Sequence, residues 1–446
     1  MIESLTPINT LIKNNSILCE SIWKTISKNK LVLILVSICF LTVINVNAQK
    51  DTTRLVLLFN KDTQRIHNEN VEISKEMDVP ELFSKKFPFL FGNHVKDSAK
   101  RSSSLVHFSV LPAVGYSLQT SFVAVLAFNI GIHGSKLSKK NLTNISTSFA
   151  YTLQKQYIIP LQADIWSKDE KYNFVLDWRY LLYPQSTFGL GSLSTFSNEL
   201  KLKYSYLKLY NYVLRKITPN FYIGPGFNID YHWNIKEEYP GLDSTSDFIK
   251  YGKTNRSFAA GPSFNVIYDS RRNSINPQGG FYGNISYCYH LKWMGSDNDW
   301  QSLLMEFRKY LKFPATSNNI LAFWSFNWLS PSGKPAYLDL PSTGWDPRLN
   351  VGRGYIQGRY KGENFLYLEG EYRFPITRNH LLGAVVFTNV ESISEWPSNQ
   401  FKAANPGIGT GIRIKLNKFS RTNLALDYAF GVEGSQGVFV NLGEVF

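Results

Sequence analysis

The sequence predicts an all-β protein: a transmembrane antiparallel β-barrel of about sixteen strands behind an N-terminal signal peptide. Three observations carry that expectation. From Val106 onward, run after run alternates with a period of two, aromatic and aliphatic side chains on one face and polar ones on the other. Aromatic residues make up 15% of the 446, with 31 Phe, 25 Tyr and 10 Trp, an excess that suits lipid-facing strands with aromatic girdles. Turn-forming clusters of Gly, Pro, Asn and Asp punctuate the runs.

The first segment reads as an export signal. Lys24, Lys28 and Lys30 precede an apolar run, Leu31 to Val46, and Val46-Asn47-Ala48 offers a cleavage site before Gln49. The run is shorter than the about 20 residues of a membrane helix. Cys39 lies within it, but Ile38 stands where a lipid-modified signal needs a small residue, so lipidation is not expected. Removing residues 1–48 would take Cys19 and Cys39 away and leave Cys288 alone, which allows no internal disulfide and fits no metal spacing. The formal charge of +14 would fall to +12, because the segment holds four lysines and two glutamates. A basic exported chain can attract anionic lipid headgroups or acidic clients. It carries no nucleic-acid-binding motif.

Residues 49–104 are charged and lack a sustained period, apart from one short apolar run at Leu55–Phe59. They read as a short periplasmic lead-in. The barrel then occupies 105–446. Strand starts fall near residues 107, 121, 144, 156, 172, 200, 219, 257, 280, 300, 318, 364, 381, 406, 421 and 437. In the run from Tyr172, Tyr172, Phe174, Leu176, Trp178 and Tyr180 alternate with Asn173, Asp177 and Arg179. In the run from Phe221, Phe227, Ile229, Tyr231 and Trp233 alternate with Asn228, Asp230, His232 and Asn234. The run from Phe281 behaves alike. Amphipathic runs this heavy in aromatics favour one closed sheet with lipid outside and a wet lumen inside over a soluble sandwich. The connections at 236–256, 295–298 and 330–364 are expected at one end of the barrel, outside the cell. The turns at 273–279, 314–319 and 417–422 are expected at the other. A structureless loop as long as 330–364 is usually functional.

That loop runs into the most informative stretch, Val351 to Pro375. Arg353 stands between Gly352 and Gly354 and is followed by Tyr355. Glycines there let the backbone bend sharply around the guanidinium. In the strand that follows, Phe365, Tyr367, Glu369, Glu371 and Arg373 share one face, and Leu366, Leu368, Gly370, Tyr372 and Phe374 the other. A loop arginine beside a carboxylate-bearing strand face points to a loop folded back into a polar interior.

This stretch resembles the signature loop and following strand of BamA/TamA-type outer-membrane barrels, the bacterial surface antigen family. There an arginine in a V/I-R-G-F/Y motif tips a long loop into the lumen; here the motif reads Gly352-Arg353-Gly354-Tyr355. A second marker is Tyr268-Asp269-Ser270-Arg271-Arg272 with Pro277, Gly279 and Gly280, which resembles the family's D-x-R-x-x-x-x-P-x-x-G hairpin. By turn chemistry, Asp269 and Arg271 can pair at the rim, while Pro277 and Gly280 set the bend. The resemblance implies that Arg353 pairs with Glu371, with Glu369 two residues away on the same face. The family's second acid, in an F-x-D segment, corresponds to Asn389 of Phe387-Thr388-Asn389, an amide able to accept one hydrogen bond from Arg353. The chain ends in a strand on which Val438, Val440, Leu442 and Phe446 share a face. A terminal aromatic strand resembles the signal that marks outer-membrane barrels for insertion. The lead-in is too short for the family's periplasmic client-binding POTRA domains.

The resemblance implies localisation in the outer membrane of a Gram-negative bacterium. It also implies insertion or translocation of proteins, with outer-membrane lipids, unfolded outer-membrane proteins and periplasmic accessory proteins as partners. A passive pore or anchoring barrel is the alternative. An outer-membrane hydrolase is the least supported reading. His107 and Ser109 lie at i and i+2 on one strand face but have no orienting acid nearby in sequence. The seven histidines show no metal-ligand spacing, no Gly-rich phosphate loop opens a helix, and no cofactor is expected. Glu369 and Glu371 beside Arg373 read as a charge network rather than a glycosidase pair.

Overall fold

The computed structural model describes residues 76–86, 106–117 (backbone), 121–133, 142–167, 169, 171–238, 246–418 and 420–446. The expected signal peptide, and the lead-in apart from 76–86, lie outside the described residues.

Among the described residues, eighteen strands form one antiparallel sheet. The first half contains β1 (Val106–Ser117), β2 (Ser121–His133), β3 (Leu142–Thr152), β4 (Tyr157–Trp166), β5 (Tyr172–Leu182) and β6 (Gln185–Thr187). It continues with β7 (Leu200–Thr218), β8 (Phe221–Glu237) and β9 (Arg256–Asp269). The second half contains β10 (Gly280–His290), β11 (Trp300–Lys312), β12 (Ile320–Leu329), β13 (Asn364–Pro375) and β14 (Leu382–Glu395). It ends with β15 (Gln400–Phe401), β16 (Asn405–Asn417), β17 (Thr422–Phe430) and β18 (Gln436–Leu442). β6 and β15 are three- and two-residue pieces, which leaves sixteen long strands. Every start lies within two residues of its expected position.

Each long strand pairs with the next in the chain by an antiparallel ladder. β1 lies beside β18, which brings the sheet round into a barrel. No β-ladder joins that last pair among the described residues.

Burial is inverted relative to a soluble sandwich. On β5, Tyr172, Phe174, Trp178 and Tyr180 are 38–40% exposed, while Asn173 and Arg179 are 7% exposed. Phe264, Tyr289, Phe323, Ile408, Ile412 and Tyr428 point outward in the same way. Inside lie Asn228, Asp230, His232, Asn265, Glu306 and Arg308. Alternation that buries the polar row and exposes the aromatic row is stable only when the outer solvent is hydrocarbon. The fold is thus a membrane-spanning barrel.

The interior departs from the expected wet lumen. One apolar cluster joins Trp324, Phe326, Tyr355, Tyr360, Phe365 and Phe446, and a second joins Tyr183, Leu202, Tyr204, Phe248, Tyr251 and Leu340. Both form because the long connection between β12 and β13 folds inward and brings its own apolar side chains. Among the described residues the α-helices are α1 (Val79–Lys86) in the lead-in and α2 (Asp247–Gly252) in the β8–β9 loop.

Candidate functional site

The 330–363 connection enters the lumen as a hairpin-like excursion. Thr343 N–H donates to Tyr360 O (3.0 Å), Gly358 N–H to Thr343 O (2.9 Å) and Gly362 N–H to Pro341 O (3.1 Å). Asp346 organises the tip: its carboxylate accepts the backbone N–H groups of Arg348 (2.9 Å), Asn350 (2.7 Å) and Val351 (2.8 Å). Gly352 and Gly354 then turn the chain at φ +84° and +111°. A Cβ at Gly354 would sit 2.9 Å from the Phe430 carbonyl, and one at Gly352 would sit 2.4 Å from Thr343. Both positions therefore require glycine for conformation and for space.

Between them Arg353 is fully buried. Its Nη2 donates to Glu369 and to Glu371, and its Nη1 donates to Asp427 Oδ2 at 2.5 Å. The Phe387 ring lies 3.4 Å from the guanidinium carbon. The acids are engaged further. Glu371 also accepts from Arg373 Nε (2.5 Å) and Asp427 from Arg413 Nη1 (2.5 Å), and Arg413 Nε reaches Glu444 Oε2 at 2.7 Å. Tyr367 O–H donates to Glu369. Three guanidinium groups and four carboxylates thus form one buried network in which each charge has an opposite neighbour, the condition under which buried ions are tolerated.

The expected Arg353–Glu371–Glu369 constellation is therefore assembled. The expectation for Asn389 is corrected. Asn389 Nδ2 donates to the Arg353 backbone carbonyl at 2.9 Å, so it holds the loop's backbone and not the guanidinium. Asp427 on β17 supplies the third charge. Sequence reasoning missed it, although it is a lone acid in the inward row Asn423, Ala425, Asp427, Ala429.

Neighbouring groups fix the rest of the loop. Tyr355 O–H donates to Pro406 O at 2.6 Å and accepts from Val432 N–H at 3.1 Å. Arg359, which the sequence reading did not single out, is fully buried and bonds Ser194 Oγ (3.0 Å), Ser194 O (2.8 Å) and Glu433 (2.6 Å). Ser194 belongs to the 183–199 connection, which crosses this end of the barrel. There Ser192 Oγ accepts from Ile393 N–H (2.6 Å) and Gly191 N–H donates to Lys361 O (2.8 Å). The long-loop end is thus closed by two interlocked connections.

At the short-turn end, Arg271 Nη2 and Asp269 Oδ2 pair at 2.8 Å as expected. Pro277 is buried and Gly280 has φ +104°. The same turn reaches across the mouth: Asn273 Nδ2 donates to Ser420 O at 3.1 Å and Glu444 N–H to Ile275 O at 3.0 Å.

The terminal residues correct a second expectation. Leu442 is half exposed on the outer face, and Val440 is partly exposed. Phe446 is not on that face. After Leu442 the strand ends, Gly443 adopts φ +92°, and Phe446 is fully buried against Trp324, ring centroids 5.1 Å apart. A period of two could not be carried through a left-handed glycine.

α1 docks beside this end. Glu81 accepts from Lys418 Nζ at 2.9 Å and Lys85 Nζ at 2.9 Å. Those bonds, Lys85's first and Lys418's next, hold the Glu81 carboxyl below its ordinary 4.5. The docking contribution of Glu81 is therefore fully present above pH 4.5 and lost as pH falls through the lowered value. Exchange of the Leu82 amide, which is bonded to Asp78 O, is expected to accelerate below that pH after correction for intrinsic rate. An unchanged protection factor would mean that the Glu81 contacts do not hold the helix.

His107 and Ser109 lie on β1, whose side chains are outside the described residues. Among the described residues, no group of three or more His, Cys, Asp or Glu could hold a metal ion.

No protein-family model matches the chain, and no curated protein matches it. Among solved structures it is similar to BamA from Haemophilus ducreyi lacking POTRA domains 1–3, with 15% identity over 75% of this chain and 70% of that one, at a TM-score of 0.49. It is also similar to CdiB from Acinetobacter baumannii, with 12% identity, 76% and 60% coverage and a TM-score of 0.47. For CdiB from Escherichia coli the figures are 8% identity, 76% and 63% coverage, and 0.48. The chain spans less than two thirds of either CdiB chain.

Proposed function

We propose that this barrel resides in the outer membrane of a Gram-negative bacterium and assists insertion or translocation of other proteins there, as BamA/TamA-type barrels do. On this reading the short turns and α1 face the periplasm, and the interlocked long loops face outward. Outer-membrane lipids surround the barrel. Unfolded outer-membrane proteins and periplasmic accessory proteins are its partners.

The observation that carries the reading is the β1–β18 seam. These strands lie side by side without a ladder among the described residues, and β18 has only seven residues against twelve in β1. At Gly443 the chain leaves the sheet for the lumen. Unpaired N–H and C=O groups on a strand edge can template an incoming strand. The buried Arg353 network supports the same reading, because it keeps the rest of the wall rigid while one seam stays weak.

Depleting the protein in its native host and measuring folded levels of other outer-membrane barrels tests this. A fall in those levels is expected. Unaltered levels, together with unaltered surface display of secreted proteins, would refute the assignment. A passive pore is disfavoured by the loop packed in the lumen. Planar-bilayer conductance of the purified chain is accordingly expected to stay near baseline.

A further inference from the structure

A cavity of about 850 Å³ opens at the short-turn end, below the Arg353 network. Its wall carries Arg272, Lys312, Arg378, Lys415 and Arg421, together with His380. The two carboxylates in the wall are already engaged: Glu444 by Arg413 and Asn423, and Glu76 by Lys415. Arg373 lies at the inner end, 6% exposed, and its Nη1 has no hydrogen-bond partner among the described residues. An arginine donor buried without a protein acceptor must be completed by water or by an anion entering the cavity.

Part of the rim is occupied by the chain itself. Met77 N–H donates to Asn379 O at 2.9 Å, a single main-chain bond. Glu76 takes Lys415 and His380 (3.3 Å). Asp78 accepts Lys418 N–H at 3.2 Å, and Glu81 accepts its Nζ at 2.9 Å. Glu76 meets the cavity wall itself, while Asp78 and Glu81, at the start of α1, hold Lys418 just outside that wall.

We infer that the vestibule is a binding site for an acidic polypeptide segment of another protein. One carboxylate reaches Arg373, and others meet Lys312 and Arg378 at the rim. Residues 76–78, ahead of α1, act as a tethered occupant of the rim through Glu76. The observed occupant favours a peptide over a small anion, since it uses the backbone as well as carboxylates. The inference rests on the preceding proposal only for the compartment, the periplasm. Its test does not require insertion activity, so either can fail without the other.

Fluorescein-labelled hexaglutamate titrated into the purified full chain in detergent, read by anisotropy, tests the site. Saturable binding is expected, weakening with salt. The double variant Lys312→Glu/Arg378→Glu is expected to bind about tenfold more weakly. These side chains are exposed, so the fold should persist, checked by heat-modifiable mobility. Glu76→Gln/Glu81→Gln, which loosens the tethered occupant, is expected to tighten binding. Absence of saturable binding would overturn the inference, as would equal affinity for the charge-reversed variant or for hexalysine. Displacement of the peptide by pyrophosphate at matched charge would reduce the site to a general anion sink and overturn it too.

Discussion

Arg353→Met is expected to destabilise the barrel by about 3–5 kcal/mol, the usual cost of removing one partner from a buried ion cluster. The physical reason is the imbalance it leaves. With Arg353 present, Glu369, Glu371 and Asp427 each face a guanidinium nitrogen. Without it, Glu369 keeps only the Tyr367 hydroxyl, while Glu371 and Asp427 still hold Arg373 and Arg413. Arg353→Lys should recover only part of the loss, because one ammonium on a flexible stem cannot span three carboxylates that a planar fork reaches at once. Urea titration of the refolded protein in detergent micelles, followed by heat-modifiable mobility, measures the difference. Coincident midpoints for wild type and Arg353→Met would show that the loop is not anchored through this residue. The triple neutral variant, with Glu369→Gln and Asp427→Asn added, should be milder than Arg353→Met alone, since no carboxylate is then stranded.

How much of this was legible follows from the two solvents the barrel divides. Each strand must satisfy lipid on one side and an enclosed polar interior on the other, so the alternation is local and each strand could be placed from its own residues. The Arg353 anchor was partly legible for a related reason. Glu369 and Glu371 lie at i and i+2 on the same strand face and follow the loop directly in sequence. Asp427 was not legible, because its partnership depends on β17 facing the loop tip across the lumen. Ala425 and Ala429 flank it on that face, both fully buried, and their small size leaves room for Arg413 and Arg353 to converge. The docking of α1 could not be read either: Glu76, Asp78 and Glu81 follow no period, and their partners lie more than 300 residues away. The apolar lumen was hidden because apolar residues on an inward face look like noise in a polar row until the loop that covers them is placed.

Phe446 presents the sharpest divergence between a local pattern and its tertiary outcome. Phe446→Ala is expected to cost about 3–5 kcal/mol, the range for truncating a buried phenylalanine. The ring is fully buried, stacked on Trp324 at 5.1 Å and 6.1 Å from the Tyr310 ring, with the Arg373 guanidinium 5.2 Å from its centroid. Its backbone is also held: Arg373 Nη2 donates to Phe446 O and Asn350 Nδ2 to Val445 O, both at 3.1 Å. Arg373 in turn bonds Glu371, so the residue closes a path from the terminal segment to the loop anchor. A residue that served only to mark the chain for insertion would leave the folded barrel's stability unchanged, since refolding from urea into micelles uses no cellular machinery. A lumenal packing residue lowers the urea midpoint in that same experiment. Its loss should also be non-additive with Trp324→Ala, because the two rings share one contact surface. Simple additivity of the two substitutions, or an unshifted midpoint for Phe446→Ala, would place the side chain outside the packed interior.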